Sequence, residues 1–205
     1  MGFYLLIVMM LVGLRWLDPP TTSVQIERRI ESWSSKRPYT KRYSFTPLDQ
    51  ISVHFQHAVI AAEDARFYQH HGFDWRQVEI AAAADFENGK VRGASTIDQQ
   101  VVKNLLFTTS RSFLRKILEA SVVPFAEFIL GKHRILELYM NIVEWGPGVY
   151  GADAAARYHY GVSASKINRD QGARLAALLP APRRRKPAMT DYSSRILVRM
   201  RQMGW

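Results

Sequence analysis

A mainly helical fold is first indicated by residues 46–69, TPLDQISVHFQHAVIAAEDARFYQ. Thr46 and Pro47 are typical of an N-cap and a first helical residue, because the proline ring presets a helical φ and its missing N–H needs no partner there. The residues that follow have the character of a continuing helix, with a strongly apolar AVIAA segment. This stretch therefore predicts a long helix that begins at Pro47.

The rest of the chain continues in the same way, and no segment alternates convincingly between apolar and polar residues. Further helices are predicted over residues 74–87, 95–106, 112–130, 134–143, 151–158, 168–179 and 193–203. We therefore expect a mainly α protein with one folded domain after residue 44.

The composition allows a substantial core and favours an anionic partner. Of the 205 residues, 47% are hydrophobic and 12% aromatic, which excludes a disordered chain. The formal net charge of +10 points to nucleic acid, a phosphorylated substrate or an anionic membrane. Because the chain has no cysteine, a disulfide scaffold, a thiolate zinc site and a cysteine nucleophile are excluded.

The N-terminal segment has the character of a membrane anchor. Residues 1–14 carry no charge and are followed by Arg15 and Trp16, which suit the headgroup region. A helix over residues 1–17 would cover roughly 25 Å, slightly less than the hydrocarbon core. The alternatives are a buried core helix and a cleaved signal peptide, which would need a basic leader and a small-residue cleavage site. We predict a transmembrane anchor over residues 1–17 and a polar stalk over residues 18–44.

A first polar cluster lies on the predicted long helix. Glu63, Phe67 and His70 are spaced i, i+4, i+7 and would share one helical face, with Asp64 beside it. The apolar flank would leave Glu63 partly desolvated, and desolvation raises the pKa of a carboxyl toward the range useful for proton transfer. The alternative is a solvated helix face, where Asp–Glu pairs are common.

Two further clusters also follow helical spacing. Thr96, Gln100 and Lys103 recur at i, i+4, i+7 and could hold a sugar hydroxyl and a phosphate, or belong to an ordinary capped helix. The second cluster, at i, i+4, i+8, consists of Arg111, Arg115 and Glu119. It suits either a pyrophosphate clamp or a salt-bridge ladder.

The remaining candidates are weaker. His54 with His57, and His133 with Glu137, do not form a zinc-binding HExxH motif, and no glycine-rich phosphate loop is present. The basic cluster at residues 183–186 has no interleaved aromatic residues, so it favours lipid headgroups over nucleic acid.

In their order and separation, these motifs resemble the peptidoglycan glycosyltransferases of family 51. The resemblance rests on AAEDxxFxxHxG at residues 61–72, GASTIxQQxxKN at residues 93–104, RKxxE at residues 115–119 and KxRILExYMN at residues 132–141. The later stretches WGxGxxGAxAAARY and LAALLPAP are also similar, so the likeness runs from about residue 45 to residue 205. The short chain resembles the monofunctional biosynthetic type.

The resemblance implies a lysozyme-like catalytic domain over residues 45–205 with a small membrane-facing lobe. It implies that the protein polymerises lipid II, a disaccharide-pentapeptide on undecaprenyl pyrophosphate, outside the cytoplasmic membrane. The acceptor 4-hydroxyl would attack the donor's anomeric carbon, form an inverted β-1,4 link and release undecaprenyl pyrophosphate. Expected partners are lipid II, the nascent glycan strand and membrane lipids, but not nucleic acid; cell-wall synthesis or division proteins are further candidates.

The resemblance also implies roles for individual residues. Glu63 matches the family's catalytic base and Glu119 its second essential carboxylate. Supporting or substrate-binding positions match Asp64, Phe67, His70, Ser95, Thr96, Gln100, Lys103, Arg111, Arg115, Lys132 and Asn141. The sequence requires no cofactor and leaves a divalent cation at Glu119, Mg or Mn, as an open alternative.

Three positions depart from the family pattern. Asp98 replaces the usual Thr or Ser and adds a negative charge near the expected phosphate site. Gln171 and Gly172 replace the usual Glu-Ala at some cost in helix propensity. The third departure is the basic cluster at residues 183–186, and none of the three removes a catalytic group.

Two other functions stay open at this point. A lysozyme-like hydrolase or lytic transglycosylase would use a glutamate as an acid on finished glycan, and it would need neither the phosphate clamp of Lys103 and Arg111 nor an anchor. A non-enzymatic membrane adaptor would keep its function after Glu63→Gln.

Overall fold

The computed structural model describes residues 2–35, 39–88, 95–110 and 112–205. The described part is mainly helical, as predicted. Its helices are α1 (Gly2–Leu14), α2 (Ser23–Ser35), α3 (Val53–Glu63), α4 (Trp75–Asn88), α5 (Ile97–Leu106), α6 (Phe113–Ile142), α7 (Ala152–Tyr160), α8 (Arg169–Ala176) and α9 (Asp191–Gln202).

Helix α3 lies in the centre of the core and packs against α8 and α9. Phe55 is fully buried, and its ring centroid lies 5.0 Å from that of Trp145. A Cβ atom on Gly172 of α8 would lie 3.1 Å from the carbonyl oxygen of His54, so an alanine there would require the two helices to move apart by a few tenths of an ångström. Gly172, one of the departures from the family pattern, therefore lies at a close contact between the two helices.

The predicted start of this helix at Pro47 is wrong. Only a 3₁₀ turn forms there, over Leu48–Gln50, and α3 begins after Ser52. Asn141 explains the difference: its Oδ1 accepts from the Thr46 N–H at 2.8 Å, and its Nδ2 donates to the Thr46 carbonyl at 2.9 Å. These tertiary hydrogen bonds occupy both backbone groups of Thr46, so it does not act as the helix cap.

The predicted end of the helix is also wrong. α3 ends at Glu63, and the chain turns through a 3₁₀ segment, Phe67–Gln69, into the extended residue His70. Phe67 and His70 therefore do not share a helical face with Glu63. They return to its neighbourhood through the turn.

Helix α6 joins the two helices predicted over residues 112–130 and 134–143. Gly131, with φ 72° and ψ 163°, interrupts it, and we call the parts on either side the first and second halves of α6. The left-handed φ is one that glycine adopts without steric cost. α5 packs against α6, which brings the second and third predicted clusters close to each other.

The N-terminal segment packs against the domain. α1 contacts α6, and Leu11 is fully buried there. Over the described ranges, no helix has both the length and the apolar character needed to cross a membrane; α1 has 13 residues. The predicted stalk contains α2, whose Ser23 hydroxyl donates to the carbonyl of Leu105 on α5 at 2.8 Å.

A small sheet was not predicted. Strand β1 (Arg42–Tyr43) runs parallel to β3 (Val149–Tyr150), and β2 (Glu144–Gly146) pairs with β3 in the antiparallel direction. Strands of two or three residues are too short to show a period of two in the sequence.

Candidate active site

Glu63 is the last residue of α3, and a chain of hydrogen bonds fixes its carboxylate. Gln100 of α5 donates from Nε2 to Glu63 Oε2 at 2.8 Å. The fully buried Tyr139, on the second half of α6, donates from its hydroxyl to Gln100 Oε1 at 3.1 Å. This chain orients one oxygen of the carboxylate and sets which way the Gln100 amide faces.

The environment of Glu63 favours proton uptake. Burial raises the pKa of its carboxyl, and the charge of Asp64 acts in the same direction. The hydrogen bond from Gln100 and the charge of Lys103 oppose the increase. The sequence predicted this desolvation, and the structure supplies its second cause in Asp64.

Asp64 binds two other groups and does not face free solvent. Its carboxylate lies 3.0 Å from His70 Nε2, and Asp64 Oδ2 accepts from the backbone N–H of Ile97 at 3.0 Å. Ile97 is the first residue of α5. Its N–H has no partner within the helix, and the helix dipole favours an anion at this end. Asp64 therefore ties the end of α3 to the start of α5 and positions Glu63 beside it.

At the start of α5, the predicted site residue Thr96 caps the helix. Thr96 is the N-cap: its Oγ1 accepts from the Gln99 N–H and donates to the carbonyl of Gly72 at 2.7 Å. Gln99, which the sequence reasoning missed, closes the capping box. Ser95 is exposed just before this cap.

A second group of charges surrounds Glu119 on the first half of α6. Both oxygens of the buried Glu119 carboxylate are bound, one by Arg115 and the other by Lys116 Nζ at 2.7 Å. Lys103 of α5 lies near this group and near Glu63, and burial lowers the pKa of its ammonium. Among the described residues Lys103 takes part in no salt bridge. The predicted member Arg111 lies outside the described residues.

The predicted site residues Lys132 and Asn141 bind other residues of the fold. Lys132 binds Asp98 at 2.9 Å, and its Nζ lies 4.6 Å from the ring centroid of the buried Phe67. Asn141 is fully buried and holds Thr46 and the carbonyl of Glu137. Asn141 is thus a structural residue in this arrangement.

The described residues do not fit a divalent cation at Glu119. The Arg115 and Lys116 side chains already neutralise the carboxylate, and Glu119 belongs to no group of three or more His, Asp or Glu side chains that could hold an ion among the described residues. Asp64, His70 and Asp98 do bring ligand atoms within 4.8 Å of one another. The Lys132 ammonium and the Ile97 N–H already bind their carboxylates, so this trio is not a cation site either.

Sequence reasoning missed two tyrosines near Glu63. Tyr139 stands in the motif KxRILExYMN, so its place on the inner face of a helix was available as a signal. Tyr192 of α9 donates to the carbonyl of Ala62 at 3.4 Å; burial raises the pKa of its hydroxyl, and the Glu63 charge adds to this increase. No pattern in the sequence connects Tyr192 with Glu63.

The side chains of the basic cluster at residues 183–186 are exposed, and three of them have different surroundings. Arg183 binds Glu31 at 3.1 Å, and Arg184 lines a cavity of about 670 Å³ between α2 and the β2–β3 turn. Arg185 turns back to donate to the carbonyl of Ala177 at 2.9 Å.

Comparison with known proteins shows which family the chain is similar to. The family model described as Transglycosylase matches residues 29–203. The biosynthetic peptidoglycan transglycosylase of Ectopseudomonas mendocina is 45% identical over 195 residues, which cover 95% of this chain and 81% of the relative. The proteins of the same description from Pseudomonas entomophila and Pseudomonas aeruginosa are 50% and 45% identical; the matches cover 82% and 85% of this chain and 72% and 75% of the relatives.

Proposed function

The chain belongs to the Transglycosylase family, and from that premise we propose that it polymerises lipid II with Glu63 as the general base. It is a peptidoglycan glycosyltransferase of bacterial cell-wall biosynthesis. The observation that carries the assignment of the base is the desolvated Glu63 carboxylate, which Gln100 orients and which lies near the Lys103 ammonium. The proposal includes a lysozyme-like fold for the catalytic domain.

The proposed reaction transfers one proton and one glycosyl group. Glu63 takes the proton from the acceptor 4-hydroxyl while that oxygen forms a bond to the anomeric carbon of the donor chain. The bond from this carbon to the pyrophosphate oxygen breaks with its electron pair, so the carbon is inverted to a β-1,4 link. Undecaprenyl pyrophosphate leaves with the extra negative charge.

Lys103 and the cations around Glu119 suit the leaving group. Lys103 has no salt-bridge partner among the described residues, so its ammonium can bind phosphate without breaking an ion pair. Arg115 and Lys116 are held by Glu119, which keeps two further positive charges at a fixed place. Fixed charges that meet a developing anion lower the barrier without reorganisation during the reaction.

Incubation of the detergent-solubilised protein with labelled lipid II tests the proposal. We expect long glycan strands. One undecaprenyl pyrophosphate should be released for each glycosidic link that forms. Lipid II that stays intact in the presence of folded protein would contradict it. Soluble fragments released from purified sacculi would instead favour the hydrolase alternative.

The pH dependence of polymerisation is expected to report on Glu63. Because its pKa is raised and the base must be ionised, the rate should fall on the acid side at a pH above the ordinary glutamate value of about 4.3. Gln100→Met removes a hydrogen bond that lowers this pKa, so the acid limb should move to still higher pH. The measurement is kcat/KM against pH. Gln69→Met, at an exposed glutamine, serves as the control, and an unmoved limb in Gln100→Met would contradict the assignment.

We also propose that the protein is attached to the cytoplasmic membrane as a single-pass protein, with α1 as the anchor and the catalytic domain outside the cytoplasm. Apolar exposure on α1 and α6 supports this. Leu5 and Leu6 of α1 are more than half exposed, and Tyr4 lies with its ring centroid 6.3 Å from that of Phe125 on α6. Phe125 and Phe128 are 44% and 87% exposed. An apolar surface that continues across two packed helices marks a contact with lipid or protein.

Replacement of both Phe125 and Phe128 by serine should weaken binding to phosphatidylglycerol vesicles. Burial of one phenylalanine contributes about 1.5–3 kcal/mol, so we expect a loss of roughly 10-fold or more for each side chain. Vesicle co-sedimentation measures the effect, and Val198→Ser on α9 is the control. Equal binding of the double variant and the control would contradict a membrane contact of α6.

A further inference from the structure

The break in α6 at Gly131 separates the two halves of the candidate site. The first half of α6 carries Glu119, and the second half carries Tyr139, which is linked to Glu63 through Gln100. The geometry at Gly131 therefore sets where Glu119 lies relative to Glu63. A Cβ atom on Gly131 would meet nothing within 4 Å, so the space on that side of the residue is open.

Lys132, the residue after the break, contacts three different elements. Its Nζ lies 2.9 and 3.0 Å from the two carboxylate oxygens of Asp98 on α5. It lies 3.8 Å from Glu127 Oε1, on the other side of the break, and 4.6 Å from the ring centroid of Phe67. One side chain thus connects α5, both halves of α6 and the turn after α3.

Asp98 joins this contact to the other half of the site. It is completely buried and lies in the first turn of α5, next to Ile97, whose backbone N–H binds Asp64. Its carboxylate accepts only from Lys132 among the described residues. A shift of Lys132 would therefore leave a buried carboxylate without a partner, which is strongly unfavourable.

We propose that Asp98 and Lys132 are positioning residues whose buried ion pair latches α6 across the Gly131 break and fixes Glu119 relative to Glu63. The catalytic consequence rests on the proposed function, whereas the latch itself is a property of the fold. The pair is directional, because both carboxylate oxygens of Asp98 bind the Lys132 ammonium. An apolar contact of equal area would have no such preferred geometry and would restrain the two halves of α6 less. The negative charge that Asp98 adds is paired with the Lys132 ammonium.

The kinetic test uses Asp98→Asn as the gentler variant. Lys132 keeps Glu127 and some solvent after this change, since its side chain is 17% exposed, whereas Lys132→Met would leave Asp98 buried and unpaired. A misplacement of about 1 Å can cost on the order of 100-fold in rate. We expect kcat with lipid II to fall about 10- to 100-fold in Asp98→Asn, with KM changed by less than about threefold, and Lys132→Arg to keep most of the activity.

Distances between spin labels test the latch without any activity. Because the chain has no cysteine, Leu114→Cys and Lys166→Cys place labels only at two exposed sites, one at the far end of the first half of α6 and one on the body of the domain. We expect one narrow distance distribution in the parent and a shift or broadening of about 1–2 Å after Asp98→Asn, the scale of helix shifts in conformational transitions. Arg157→Met removes an ion pair within α7 and should change neither the distance nor kcat.

Each outcome decides the proposal. A changed distance together with a lower kcat supports it. An unchanged distance in Asp98→Asn overturns the latch whatever the activity, and a changed distance with normal kcat overturns the positioning role. If the parent makes no polymer, the proposed function fails, and the distances still decide whether the latch exists.

Discussion

Glu63→Gln is expected to lower the rate of lipid II polymerisation by about 10²–10⁴-fold, the usual contribution of a general base. Glutamine has nearly the same size and can still meet Gln100, but it cannot accept a proton from a sugar hydroxyl. Because burial raises the pKa of Glu63, the folded protein disfavours the carboxylate, so a neutral side chain should not lower the melting temperature. Polymer yield over time and thermal unfolding are the two measurements.

Glu79→Gln is the matched control for this experiment. Glu79 lies on α4 with an exposed side chain, and its replacement makes the same chemical change away from the site. A rate in Glu63→Gln equal to that of this control would contradict the assignment of Glu63 as the base. Loss of activity together with a collapse of the melting temperature would show that Glu63 is needed for folding.

Lys103→Met should show opposite effects on activity and stability. Removal of one fixed group that stabilises developing negative charge commonly costs 10²–10³-fold in rate, and we expect about that loss. Burial lowers the pKa of Lys103, which means that the folded state disfavours its charge. Methionine keeps the length of the side chain without this charge, so the melting temperature should stay the same or rise by about 2–4 °C for each kcal/mol gained.

The exposed lysine Lys166 offers the control, since Lys166→Met removes a positive charge far from the cluster around Glu119. We expect normal polymerisation in that variant. Full activity of Lys103→Met would show that the Lys103 ammonium does not bind the leaving pyrophosphate. If it were inactive and much less stable, the role of Lys103 would be structural.

The candidate site was predictable where chemistry depends on residue type and order. The motif around Glu63 and Asp64, the helix with Gln100 and Lys103, and the pair of Arg115 with Glu119 are contiguous in sequence, so their composition could be recognised directly. The pairing of Arg115 with Glu119 follows from i, i+4 spacing and is present. Desolvation of Glu63 followed from its apolar neighbours and is also present.

Positions that depend on distant contacts were not predictable. Thr46 and Pro47 have the residue types of a helix start, but Asn141, 95 residues away, binds the backbone of Thr46. The partner of Asp98 is Lys132, 34 residues further on, so the sequence showed an extra charge and the structure shows that it is neutralised. Tyr192 reaches Ala62 across 130 residues without any local signal.

The sequence by itself determined the helical class, the family and the chemical groups at the site, because helical periodicity and the order of short motifs are local properties of the chain. Only the tertiary structure decided that His70 meets Asp64 through a turn, that Gly131 breaks α6 and that Lys132 spans this break. The reason is physical: a hydrogen bond or buried ion pair between distant residues can outweigh the small free-energy differences, of the order of 1 kcal/mol, that set local propensity.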